Sequence, residues 1–302
     1  MIATNRDYLK LHFIVFLWGF TAVLGKLISI PSVEMVLYRT LLAAVGMGVV
    51  MLFMKTSFSV TTSDLIKLLL TGIIVAIHWI TFFVAGKISN PSTSLVGFAT
   101  CAFWAALFEP LAKRKNIQLL EIGLGLVGLV GLGIILAFDF KYPLGLFLGV
   151  ISGMTAALFS VINSKLVYRV NAYAITLYEM LGACLSILFF LPLYKHNLAA
   201  HHELNLLPTA IDWVYIVLMA WACSVYAYAE AINLMKKLSV FIIQLALNLE
   251  PVYGIILALM VFGQQEVMSL KFYLGAFIIL GAVIAYPFLK RKTENHFNTP
   301  AQ

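Results

Sequence analysis

A carboxylate, two amides and a proline stand together where nearly every neighbouring residue is apolar. Gln244, Asn248, Glu250 and Pro251 fall inside the stretch from Phe241 to Phe262. That stretch can cross a bilayer, whose hydrocarbon core of about 30 Å takes roughly 20 helical residues. Polar groups beside a helix-breaking proline are costly against lipid, so they must face protein or a water-filled cavity. The chemistry open to such an acid is proton exchange or attraction of a cation. Glu250 is therefore the proton-coupling candidate, against the alternative of a hydrogen-bonded acid bridging the broken backbone. Gln244 lies four residues before Asn248 and shares its helix face, which suits a polar cavity lining or hydrogen bonding between helices.

Other residues able to do chemistry are dispersed through further apolar segments. His78 and Trp79 fall near midspan, where an imidazole that titrates near neutrality beside an indole could line a solute path or simply pack. Tyr226 and Glu230 are four apart and share a face, giving either a cavity wall or, for Glu230, a salt bridge to Lys236. Trp18 and Trp104 lie away from the interfacial belts and are cavity candidates. Arg39 and Glu179 oppose each other in charge at near-equivalent points of the two halves, but fall towards opposite faces of the membrane. Lys26 and Lys165 sit near helix ends, where snorkelling is the expected role. The outer-loop His196, His201, His202 and Glu203 match no zinc spacing, so no metal, cofactor or catalytic set is expected.

The elements that must position these residues are membrane helices. The 302 residues are 62% hydrophobic and 11% charged, far below the roughly 25% charge of soluble domains, and mean hydropathy is +0.99. Ten apolar segments run approximately 9–28, 34–54, 65–86, 92–112, 118–138, 143–164, 173–193, 211–231, 238–262 and 270–289. The net charge of +7 is no nucleic-acid signal, because the basic residues cluster at segment ends. Of the 20 lysines and arginines, 14 fall in the even loops and termini and 6 on the other side. The positive-inside rule then places both termini, with tails 1–8 and 290–302, in the cytoplasm of a multi-pass inner-membrane protein. Cys101, Cys184 and Cys223 lie within apolar segments without paired spacing and read as small packing residues. Gly145, Gly149 and Gly153 form a small-residue stripe suited to close helix contact, with the glycine-rich fifth segment as the natural partner.

The chain also repeats. A shift of about 150 lays Gly125 and Gly131 on Gly275 and Gly281, and the Lys113–Asn116 turn on Gly263–Glu266. Shifts of 139 to 148 lay Lys26 on Lys165, Leu37 on Leu177, Tyr38 on Tyr178 and Asp64 on Asp212. Two five-helix halves, 9–138 and 143–289, follow. An odd helix count per half turns the second upside down relative to the first, an inverted-repeat plan recurrent in transporters. The expected class is all-α integral membrane, ten transmembrane helices in two inverted repeats.

The chain resembles the drug/metabolite transporter superfamily, in particular EamA-type permeases. The match rests on Trp18, Gly19 and Lys26 in the first span, and on Pro31 followed by Arg39 at the entry to the second. Asn248 to Pro251 followed by Gly263 to Glu266, and Gly275 with Gly281, complete it. The first half departs by having Thr100 and Cys101 where the repeat places Glu250 and Pro251. The resemblance implies a secondary transporter, an exporter of small metabolites such as amino acids, amines or drug-like compounds, with proton coupling open and either a monomer or a homodimer. Its partners would be a small-molecule substrate and the lipid bilayer. The rivals are an enzyme acting on a lipid, for which the 13 scattered acids offer no pair, and a passive channel, for which no ring of charges stands out.

Overall fold

A computed structural model describes residues 3–138, 142–266 and 269–297. Lys141 and the last residues of the C-terminal tail, 298–302, lie outside them. Among the described residues the chain is helical throughout, and eight helical segments are long and apolar enough to cross a membrane. They correspond to eight of the ten apolar segments. The fifth and tenth form α7 (Leu119–Phe138) and α14 (Leu270–Phe297), with shorter apolar runs at Leu119–Gly128 and Tyr273–Tyr286, and these two helices pack against each other.

Several spans are not single regular helices. The first is split at Phe20 into α1 (Asn5–Gly19) and α2 (Thr21–Leu27). Then come α3 (Ser32–Phe53) and α4 (Thr62–Ile88). The fourth span divides into α5 (Pro91–Phe98) and α6 (Cys101–Lys113). After α7 follow α8 (Pro143–Leu166) and α9 (Ala172–Asn197). The eighth span starts as α10 (Ala210–Leu218), widens into a π-helical segment at Met219–Tyr228, and finishes as α11 (Ala229–Leu234). The ninth divides into α12 (Val240–Leu247) and α13 (Glu250–Phe262), which Gly263 closes at φ +56°.

The two divided spans break at corresponding points. Each covers 23 residues, and each interrupts its helix at the ninth and tenth, Ala99–Thr100 and Asn248–Leu249. The causes differ. Pro251 has no N–H to offer the Leu247 carbonyl, so the α12 ladder cannot run on through it. The first break holds no proline. There the Thr100 hydroxyl turns back onto the Gly97 carbonyl at 2.9 Å and its N–H does the same at 3.3 Å. The N-caps correspond as well: Asn90 Oδ1 accepts from Thr93 N, and Ser239 Oγ accepts from Ile242 N. In the third and eighth spans Thr61 caps Asp64 and Thr209 caps Asp212, the pair of aspartates that the sequence repeat brings together.

The divided spans pass each other in opposite directions, α5 against α13 and α6 against α12. Close approach is made by glycines. A Cβ at Gly254 would stand 2.3 Å from Leu95 Cδ1, and one at Gly19 would stand 2.8 Å from Tyr253 Cβ, so α1 and α5 both press on α13 beside Glu250. The glycine stripe of α8 corrects one expectation. Gly145, Gly149 and Gly153 face Ser89, Ser94, Gly97 and Phe98 at the end of α4 and along α5, rather than the glycine-rich α7. The reason is mutual: Gly97 also lacks a side chain, so two smooth surfaces meet backbone to backbone.

Candidate functional site

The crossing of the divided spans frames a cavity of about 60 Å³, room for a few waters. The first, second, third, fourth, sixth, eighth and ninth spans all contribute to its wall. Five of the residues expected to line a cavity or couple protons do line it: Trp18, His78, Trp79, Gln244 and Glu250. Arg39, Tyr228 and the phenylalanines at 82, 83, 98 and 159 complete its chemistry.

Arg39 and Glu250 are the cation and the acid of this cavity, exposed by only 2% and 4%. No ion pair within 4.0 Å joins them, or engages either, among the described residues. Arg39 is held instead by its surroundings. Its guanidinium lies 3.9 Å from the centre of the Trp79 ring, and its Nε donates to Ser224 Oγ at 2.9 Å. A desolvated cation over an indole gains about 2 kcal/mol, which offsets part of the cost of burial. The π-helical segment makes the second contact available. Its wider turn carries Ser224 towards α3, and the hydroxyl donates on to the Met219 carbonyl five residues back at 3.3 Å. Such widened turns gather at functional sites.

The other lining groups are fixed just as firmly. His78 Nδ1 lies 2.9 Å from the Ser152 carbonyl oxygen and 2.8 Å from Ser152 Oγ. A carbonyl can only accept, so Nδ1 carries the proton and Nε2 is the acceptor. Gln244 Nε2 donates to Ser160 Oγ at 2.7 Å, while its Oε1 is buried without a partner among the described residues. The Trp18 indole donates to the Cys223 carbonyl at 2.9 Å. An aromatic wall, one cation, one acid and an amide oxygen lacking a donor can together receive a small amphipathic or zwitterionic molecule.

Four residues singled out from the sequence lie elsewhere, and each has a physical reason. Trp104 stacks on Phe108, centroids 5.9 Å apart, in a cluster with Ala105, Ala157, Val161 and Val240. Asn248 stands at the break of α12 and α13 facing α6, where its Oδ1 is 3.7 Å from Cys101 Sγ, beside a separate crevice of about 10 Å³. Tyr226 is 42% exposed and its ring packs against Phe13. Regular helical spacing aims Tyr226 inward, but the π-helical turn rotates the chain and brings Tyr228 to the cavity instead. Glu230 ends up near the α1 terminus, bonded to Lys10 at 2.6 Å rather than to Lys236. Arg39 and Glu179 do not pair. Glu179 accepts from Tyr228 and Asn163, a cluster that the sequence reading did not assemble.

Both ends of the bundle are tied by polar contacts. At one, Lys10–Glu230 is joined by Lys237–Asp7 at 2.8 Å. At the other, Lys26 Nζ donates to the carbonyls of Gly86, Lys87 and Ser89, while Lys87 Nζ donates to those of Ile28 and Ile30. Each lysine thereby caps the frayed carbonyls of the other's helix, a role more specific than snorkelling. Lys165 is exposed.

The comparisons with known proteins agree with this architecture. The model of the EamA-like transporter family matches residues 143–286. No curated protein matches the chain by sequence. Among solved structures, 26 chains match. One, titled "Crystal structure of protein", superposes with a TM-score of 0.71 at 16% identity, over 97% of this chain and 100% of its own. It shares the fold.

Proposed function

We propose, from the match of residues 143–286 to the EamA-like transporter family of the drug/metabolite transporter superfamily, that this chain is a secondary transporter of small metabolites. Members of the family are transporters rather than enzymes, and the protein is a multi-pass membrane protein. In our reading ten helices form two inverted five-helix repeats, 9–138 and 143–289, with both termini in the cytoplasm of the cell's inner membrane. The antiparallel passage of two spans broken at corresponding residues supports that arrangement. The protein exports amino acids, amines or drug-like compounds by alternating access, and Glu250 exchanges a proton or meets the solute's cationic group.

One observation carries the reading. Arg39 and Glu250, a cation and an acid, line one aromatic-walled cavity, and no ion pair within 4.0 Å joins them among the described residues. A buried cation without an ion-pair partner is costly, and a solute whose carboxylate meets Arg39 and whose ammonium meets Glu250 offsets that cost. A lipid-modifying enzyme or passive channel gives no comparable account of the pair.

The test is solute exchange in proteoliposomes containing an internal pH dye, with a panel of amino acids and amines, comparing wild type with Glu250→Gln. Exchange that weakens in the variant supports the assignment. Unchanged exchange in the variant, with no proton movement in either protein, makes Glu250 structural and sinks it.

A further inference from the structure

A second acid lies just behind the cavity wall. Glu179, two turns into α9, has 0% exposure. Its Oε2 accepts from the Tyr228 hydroxyl at 2.7 Å and from Asn163 Nδ2 at 3.1 Å. Its Oε1 is buried with no hydrogen-bond partner among the described residues, and so is Asn163 Oδ1. No lysine, arginine or histidine lies within 4.0 Å of the carboxyl among the described residues. Asp7, Asp64, Glu109 and Glu230 each have a cation, whereas Glu179, like Glu250 and Glu34, has none within 4.0 Å among the described residues.

The count of donors and acceptors points to what is lacking. The cluster holds two buried acceptors without a donor, and a carboxylic acid adds one where a carboxylate adds none. An uncompensated charge this deep is far costlier than a neutral acid. Glu179 is also connected. Tyr228, whose hydroxyl it binds, lines the cavity, whereas Glu179 and Asn163 do not. Of the titratable or charged groups on the elements packed against α9, Arg39 of α3, His78 of α4 and Tyr228 face the cavity. Lys165 of α8 is exposed, and Glu230 of α11 is paired with Lys10.

We infer that Glu179 is a proton-binding site of the transport cycle, loaded and emptied through the Tyr228 hydroxyl while the solute occupies the space between Arg39 and Glu250. The step balances: a hydronium in the cavity gives a proton to the tyrosine oxygen as the tyrosine's own proton passes to Glu179 Oε2. One proton moves and Tyr228 is left as it was. The inference rests on the transporter reading and divides its work between two acids, Glu250 for the solute and Glu179 for a proton the solute cannot reach.

The experiment uses the full chain in proteoliposomes as wild type, Glu179→Gln and Glu250→Gln. The first labelled amino acid or amine to exchange serves as probe. Exchange is measured without a pH gradient, and accumulation with one. The expected result is exchange at the wild-type rate in Glu179→Gln, with gradient-driven accumulation reduced by about tenfold, the ratio one pH unit supports for one proton. Accumulation at the wild-type level in that variant overturns the inference. So does a wild type that exchanges solute but ignores the gradient, an outcome that leaves the transporter reading standing. If no solute exchanges, that reading fails, and infrared spectroscopy judges Glu179 alone. A carboxylic-acid C=O band kept in Glu250→Gln and lost in Glu179→Gln supports proton binding, while a band unchanged in Glu179→Gln refutes it. Should Glu179→Gln fail to fold, Glu179→Asp replaces it and must alter the pH profile of accumulation; an unaltered profile also overturns the inference.

Discussion

The divided spans Pro91–Lys113 and Val240–Phe262 share a length, a break point and a capped start, yet only the second has an acid at its break. Glu250 opens α13 where Cys101 opens α6. The acid faces the cavity, whereas the thiol turns to the Gln244 carbonyl at 3.5 Å. The backbone device is duplicated and the chemistry is not. A break frees carbonyls and lets two spans cross closely, and both halves need that. One acid is enough for one solute site, and a second at Cys101 would stand among atoms with no cation to match it.

This contrast can be broken in several ways, the largest first. Gly97→Leu would place a Cβ 2.7 Å from the Leu146 carbonyl oxygen and 2.8 Å from Gly149 Cα. Because backbone cannot yield there, the variant is expected to lose its monodisperse peak in size-exclusion chromatography. The corresponding Ala246→Gly change should cost only ~1 kcal/mol, the helix-propensity difference, and keep the peak.

Next comes the chemistry. Glu250→Gln should lower solute exchange by about 10- to 100-fold, the range for losing a charged hydrogen bond of about 1.5–3 kcal/mol. Cys101→Ala, at the corresponding point of the other span, should leave exchange within about twofold, since it removes only weak S–H contacts. Equal losses at both positions would show that the spans are functionally equivalent after all.

The tryptophans sharpen the contrast further. Trp18→Ala should weaken solute affinity by roughly tenfold through loss of an aromatic wall. Trp104→Ala should lower the melting temperature without changing affinity, as its ring packs on Phe108 away from the cavity. The smallest effects belong to the caps: Asn90→Ala and Ser239→Ala should each cost about 1 kcal/mol, read as similar small drops in melting temperature. Unequal drops would mean that one break is more strained than the other.

Much of the fold was legible because hydrocarbon leaves few solutions. Apolar runs of sufficient length must be helices, polar residues within them must turn inward, and Pro251 announces its break. The first break carries no such announcement, because Thr100 makes it through hydrogen bonds that an isolated Thr does not advertise. Among the site residues, Gln244 and Glu250 were legible as costly polar groups, and His78 and Trp79 as polar or aromatic residues near midspan. Arg39 offered the same signal, a buried cation needing a counterpart, but its platform is Trp79 and its acceptor is Ser224, neither of which can be inferred from spacing.

The sequence by itself determined a helical membrane protein, the places where its spans lie, and the acid in the ninth that could not face lipid. Those follow from transfer free energies, which depend on residue type and need no neighbours. Only the tertiary structure decided which polar groups meet. The π-helical turn exchanged Tyr226 for Tyr228 at the cavity, Glu179 was joined to Tyr228 and Asn163, and Arg39 and Glu250 were left facing one space unpaired. Rotation about a helix axis and the register of crossing spans are set by packing across the whole bundle, and no local pattern of residues encodes them.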